Sequence, residues 1–342
     1  MSRIRFGVWA AMALILSPLA GAQSYTVTDL GVLPTGNSSS ANAVNIHGAV
    51  TGWASTNSGG SLNDHAFLWT ATGGMQDLGT LDGDDQSFGY GINNAGNVAG
   101  VSASTITGVY HAFLWTKQGG MQDLGNLGGS NGAWADGIND SGAIVGWSYL
   151  SNNITEQPFL WTKTGGMANL GTLGGLYSVA SGINNLGQVV GYSDLPKGTF
   201  VPNAFLWTQA SGMQDLGTLG GSENSGAAAI SDSGVVVGSS WSEAEITAFV
   251  WTKKQGMRMI GAGNGGQALG VNDSGTVVGS FQGPPQAFVW SPTHPVQNLN
   301  ALIPPGSGWV LTYAQGINQS GQIAAIGTIN GETHAALLTP TN

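Results

Sequence analysis

The sequence contains no cysteine, so no disulfide holds the fold, and its core depends on packing alone. That excludes a small stapled scaffold. Charge is nearly as scarce, with 8 Lys and Arg against 18 Asp and Glu, for a net charge of −10. After Arg3 and Arg5, the cations are Lys117, Lys163, Lys197, Lys253, Lys254 and Arg258. A sparse, negative surface repels phosphate backbones and anionic headgroups, which argues against a nucleic-acid partner. A nucleophile elbow, an HExxH motif and a phosphate-binding loop are also missing.

The beginning of the chain reads as an export signal. Arg3 and Arg5 precede the apolar run 6–16, and Ala20-Gly21-Ala22 supplies small residues for a peptidase. The run is shorter than the ~20 residues that cross a bilayer, which disfavours a membrane anchor. Residues 1–22 are therefore expected to be removed. Residues 23–342 remain as one secreted domain, extracellular or periplasmic, monomeric and not inserted in a membrane. Glycine contributes 57 residues, about twice its usual ~7 % share, while apolar residues are not depleted. Many tight turns between short strands would produce that balance.

Repetition dominates the rest of the chain. HAFLWT occurs at 65–70 and 111–116, then recurs as QPFLWT at 157–162, NAFLWT at 203–208, TAFVWT at 247–252 and QAFVWS at 286–291. HAALLT at 334–339 is a worn last copy. Trp69, Trp115, Trp161, Trp207, Trp251, Trp290 and Leu338 hold the same place at spacings of 46, 46, 46, 44, 39 and 48. A second motif, GMQDLGTL at 74–81, returns after each of the first six copies, as in GMQDLGNL at 120–127. A third joins an Asn-containing turn to a β-branched run, as in GINDSGAIVG at 137–146. These paired motifs resemble the HAF-repeat family of extracellular repeat proteins, and the resemblance spans residues 23–342. It implies a secreted repeat protein and brings no catalytic residue with it.

Four strands in about 46 residues is the size of a propeller blade. Phe-Leu-Trp is a run of large apolar residues on alternating faces, so both faces of that strand require cover. Two positions before each Asn turn hold only Gly or Ala. One is the set Ala43, Gly91, Gly137, Gly182, Ala229, Gly270 and Gly316; the other includes Ala41, Gly89 and Ala135. Only small side chains let innermost strands crowd together. The residue between them varies: Asn42, Tyr90, Asp136, Ser181, Ala228, Leu269, Gln315. The expected fold is an all-β, seven-bladed propeller of four-stranded antiparallel blades. Residues 25–31 are a DLG strand lacking its HAF partner, and would close the ring as the last blade's outer strand. The rival architecture is a β-solenoid.

Candidate site residues fall into three groups. The segments preceding the HAF strands vary while the turns at the other end are uniform, and they carry Trp53, Tyr110, Trp147, Tyr149, Tyr192, Phe200, Trp241 and Phe281. Such aromatics among Asn, Ser and acidic neighbours suit glycans or surface proteins, making Trp53, Tyr110, Trp147, Tyr149, Tyr192 and Trp241 the candidate binding residues. Asp82, Asp84 and Asp85 replace the usual Gly-Gly-Ser and are the weak candidates for calcium, against a plain solvated loop. A secreted hydrolase or lyase using Asp82, Asp84, Asp136, Glu156, Glu223, Glu243 or Glu245 is the alternative to a non-enzymatic binding or scaffold module. His65, His111 and His334 share one repeat position and read as framework rather than catalysis.

Overall fold

The computed structural model describes residues 23–56, 63–196, 201–220, 222–261 and 265–341. The expected signal, residues 1–22, lies outside them, as does Phe200. Among the described residues there is no α-helix; one 3-10 turn, Leu299–Ala301, interrupts a succession of strands. No helix there is long and apolar enough to cross a membrane.

The repeat folds as an antiparallel four-stranded meander. In one unit Ser178–Ile183 pairs with Val189–Asp194, which pairs with Pro202–Thr208, which pairs with Gly212–Asp215. The HAF motif is thus the third strand and the DLG motif the fourth, with the Asn turn joining the first two. At Asn139 the turn is closed by Gly142 N–H on the Asn139 carbonyl at 3.0 Å, with Gly142 at φ +80°. The Asn139 side chain accepts from Ser141 N and Ala143 N, which fixes the turn from inside.

Among the described residues five sheets have four strands and one has eight, so the expectation of separate four-stranded units is corrected at one place. The strand Gly128–Ile138 is eleven residues long, and its early part reaches Tyr110–Thr116 of the preceding meander. The joint is a single parallel pairing, Gly132 with Tyr110. Glycine is required there: φ is +92°, and a Cβ would fall 1.7 Å from the Tyr110 carbonyl oxygen.

Ser24–Asp29 pairs with the far end of the chain. It runs antiparallel to Glu332–Thr341, from Ser24 opposite Thr341 to Asp29 opposite Ala336. With Val310–Ile317 and Ile323–Ile329 these form another four-stranded sheet.

The hydrophobic clusters are shared between successive meanders, which accounts for the Phe-Leu-Trp run. Phe113 and Trp115 pack on Ala49, Ala66 and Leu78 of the meander before. Phe159 and Trp161 pack on Ala99, Ala112 and Leu124 in the same way. Leu160, on the opposite face of its strand, packs toward Phe205 and Val189 of the meander after. Phe67 and Trp69 complete the pattern against Leu30, Ala324, Ala335 and Leu337. All six motif phenylalanines are buried.

The small-residue positions are where first strands meet. A Cβ on Gly91 would lie 3.0 Å from Ile138 N and 3.3 Å from Gly137 Cα, and one on Gly316 would lie 3.4 Å from Ala43 Cα. Side-chain amides tie these strands together at their turns. Asn45 Nδ2 donates to the Asn93 carbonyl at 3.0 Å, Asn93 to Asn139 at 3.2 Å, Asn139 to Asn184 at 3.1 Å and Asn184 to Ser231 at 3.0 Å. Asn272 donates to Asn318 at 3.1 Å, and Asn318 to Asn45 at 2.8 Å.

Candidate functional site: a cavity lined by bulged strand residues

The variable residue of each first strand has a structural cause for its freedom. In the strand Gly128–Ile138, Ala135 opposes Gly146 and Gly137 opposes Val145, leaving Asp136 as an extra residue, a β-bulge. The same shift occurs at Asn42, Tyr90, Ser181, Ala228, Leu269 and Gln315. A bulge releases its residue from the ladder and re-aims the side chain. The glycine that ends the β-branched run belongs to the device: a Cβ on Gly146 would fall 1.9 Å from the Trp134 carbonyl oxygen.

All seven of these residues line one cavity of about 610 Å³, together with Tyr192, Trp241, Ser239, Ile246 and Gln267. Two expected binding residues, Tyr192 and Trp241, are therefore in its wall. They come from second strands of consecutive meanders and flank Gly226; a Cβ there would lie 3.5 Å from the Trp241 ring and 3.6 Å from Tyr192 Cβ. Among the described residues, Asp136 is the cavity's one carboxylic acid, and no Lys, Arg or His lines it. The Asp136 side chain is half-buried overall, but its Oδ2 is sealed from solvent with no hydrogen-bond partner. Burial holds that carboxyl well above the usual carboxylate range. Burial likewise raises the Tyr90 and Tyr192 hydroxyls, and the Asp136 charge adds to both.

The other expected aromatics form a stack leading away from the cavity. Tyr90, in its wall, lies 5.6 Å from Trp134, and Trp134 stacks on Trp147 at 5.8 Å with planes 13° apart. Tyr110 meets Trp134 at 5.2 Å, and Tyr149 meets Trp147 edge-on at 5.5 Å. Trp53 stands apart, edge-on to Phe88 at 6.2 Å. Trp134 was not singled out from the sequence, though an aromatic two residues before the bulge, as in Phe88, is the available signal. One correction concerns placement. Trp53, Trp147, Tyr149, Tyr192 and Trp241 were expected on loops but lie in second strands, and Tyr110 opens a third strand. The second strand continues past its glycine because the lengthened first strand still pairs with it: Trp147 opposes Trp134.

The carboxylates separate by environment. Glu156 hydrogen-bonds Tyr149, and burial raises its carboxyl despite that bond. Glu223, Glu243 and Glu245 are exposed. Asp82 is exposed, whereas Asp84 bonds His111 Nδ1 at 3.0 Å and Asp85 bonds both the backbone and hydroxyl of Thr105. The Thr105 bonds hold Asp85 below the usual carboxylate range. Among the described residues no three His, Cys, Asp or Glu are grouped to hold a metal ion. The repeat histidines are engaged in the framework: His65 bonds Asp77 and His334 bonds Asp29, third strand to fourth, at 3.0 Å.

Buried serines escaped the sequence reading. Ser87 Oγ accepts from Ala66 N and donates to the Gly79 carbonyl, and Ser225 does the same with Ala204 and Gly217. Ser39 repeats the clamp on Ala335 and Gly31. Ser102, Ser148, Ser193 and Ser240 accept from Leu81, Leu127, Leu173 and Leu219 N, holding each connecting segment to the next meander. Their recurring Gly-x-Ser was the legible signal.

No family model matches the sequence, and no curated protein matches it. Solved structures do match in shape. A streptogramin B lyase superposes with a TM-score of 0.57 at 9 % identity, over 93 % of this chain and 98 % of its own. The β-propeller domain of the trilobed protease from Pyrococcus furiosus gives 0.56 at 8 % identity, over 89 % and 93 %. An oligogalacturonate lyase from Vibrio parahaemolyticus gives 0.56 at 10 % identity, over 92 % and 93 %. At such identities the likeness concerns the fold alone, and the fold is that of a β-propeller.

Proposed function

We propose that this chain is an exported HAF-repeat propeller of seven four-stranded blades, closed by its N-terminal strand, that binds glycan at a cell surface. Closure is supported by the Ser39 clamp and the Asn318 amide, which join the two ends of the sequence as their counterparts join neighbouring repeats. Export is supported by the sequence of residues 1–22, and intact mass spectrometry of the exported protein should find Gln23 first.

The observation that carries the binding reading is the cavity itself. Its volume, about 610 Å³, falls in the ~300–1,000 Å³ range of small-molecule sites. Tyr90, Tyr192 and Trp241 offer flat faces for sugar rings, and Asn42, Gln267 and Gln315 offer amides for hydroxyls. Titration of immobilised glycans with residues 23–342 tests it. Trp241→Ala and Tyr192→Ala should lose binding, while Asn185→Ala and Asp273→Ala at the opposite turns should keep it. The reverse pattern would place the ligand on the other end.

A second reading has one observation in its favour. A carboxyl that burial raises well above the usual range, as at Asp136, is suited to donate a proton to a leaving group. Release of new reducing ends from a bound glycan, lost in Asp136→Asn, would convert the binding module into a hydrolase or lyase.

A further inference from the structure

The cavity's chemistry is more selective than its shape. Its polar lining is amide, hydroxyl and phenol, apart from Asp136, and no cation among the described residues faces that carboxyl from the lining. Oδ2 makes no hydrogen bond within the protein. A buried acceptor left unpaired is costly, and such atoms are normally satisfied. A neutral sugar hydroxyl supplies a donor but leaves the ionised carboxylate's charge uncompensated. An anion would be repelled, both by Asp136 and by a chain of net charge −10.

We propose that the ligand carries a free, protonated amine, specifically a 2-amino sugar within a glycan, and that its ammonium group docks on the cavity-facing side of the Asp136 carboxylate while Tyr90, Tyr192 and Trp241 line the ring. The proposal rests on the cavity being the glycan site. An ammonium brings three donors and a positive charge to an acceptor that has neither. The surrounding rings add attraction, because aromatic faces hold desolvated cations. Pairing with the cation offsets the burial that raises this carboxyl, so binding is linked to proton release. The neighbouring Gln315 amide and the Asn42 side-chain carbonyl remain to serve the sugar hydroxyls, the Asn42 Nδ2 being held by the Gly89 carbonyl at 2.8 Å.

The test compares two ligands of one length, a β-1,4-linked glucosamine tetramer and its fully N-acetylated counterpart. Each is titrated calorimetrically into the mature protein at about pH 6, where an amine is charged. The glucosamine tetramer should bind at least about tenfold tighter, and raising salt from about 50 to 500 mM should weaken it several-fold. Asp136→Asn, of nearly the same shape, should bring its affinity down to that of the acetylated tetramer, with an unchanged circular dichroism spectrum. The ligand comparison stands by itself if that variant does not fold. Equal binding of both tetramers, abolished by Trp241→Ala, would overturn the amine assignment and leave the glycan site intact. If neither tetramer binds, the glycan reading falls together with the amine.

Discussion

The side-chain amide of Asn318 donates to the backbone carbonyl of Asn45 at 2.8 Å, across 273 residues of sequence. It is the same bond that Asn93 makes to Asn139 across 46. If the ends of the chain are joined as its interior is, Asn318→Ala and Asn139→Ala should cost alike. Each removes a buried donor and the acceptor that orders its own turn, for roughly 1–3 kcal/mol per unsatisfied group. Chemical denaturation of both variants decides this; an Asn318→Ala protein as stable as the parent, beside a weakened Asn139→Ala, would rule out closure in solution.

Removing residues 23–31 is the coarser test of the same joint. Tyr25 and Leu30 are buried against the last sheet, and Tyr25 N also donates to the Leu302 carbonyl. Emptying two such sites costs about 2–5 kcal/mol each. At roughly 2–4 °C per kcal/mol for a large domain, the melting temperature should fall on the order of 10 °C or more. A truncated chain melting with the parent would mean that this strand is only lying on a finished fold.

Trp161→Ala should cost about 3–5 kcal/mol, the range for emptying an aromatic core site. Trp161 is 8 % exposed and packs across to Ala99 and Leu124 of the meander before it. Urea titration gives the value; a loss under ~0.5 kcal/mol would belong to a surface residue.

Much of this fold was legible because the sequence repeats it. Phe159, Leu160 and Trp161 demanded cover on two faces, and Gly137 demanded a close neighbour; the structure supplies both. The bulge at Asp136 was not legible, since a bulge is set by register against Ile144–Leu150, and register appears only on pairing. For the same reason Trp147 and Tyr149 looked like loop residues. Single-repeat features were hardest: Trp134 and the Asp84–His111 bond each occur once, where repetition offers no second reading. The lining set was nonetheless visible as the one variable place between two invariant small ones, without any hint of where it pointed.

Asp136 also sets a pH dependence. Its carboxyl titrates above the ordinary value when folded, so the native state holds the proton longer than the unfolded chain. Stability contributed by the neutral form is present below the ordinary carboxylate range and declines as pH rises from there toward the folded value. Asp136→Asn removes that slope. The variant should match the parent near pH 3–4 and exceed it at neutral pH, as melting curves across pH will show. A variant less stable at neutral pH would mean that the Asp136 charge is compensated in the free protein.

Ser231 stands where the other repeats place asparagine, and a serine has no amide to pass on to Asn272. The ladder of turn bonds is therefore interrupted between two consecutive repeats in mid-chain, and is intact where the sequence begins and ends. What remains across that gap at the turns is Asp273 Oδ1, which accepts from Asp232 N at 2.7 Å and from Ser233 N at 3.3 Å. In mechanical terms the weakest seam of the proposed ring is unrelated to the place where its thread was cut. A chain relinked from residue 341 to residue 23 and opened between these two repeats would have its loose ends where the fold is already least stitched. Pulled from those new ends, the molecule should part first at Ser231.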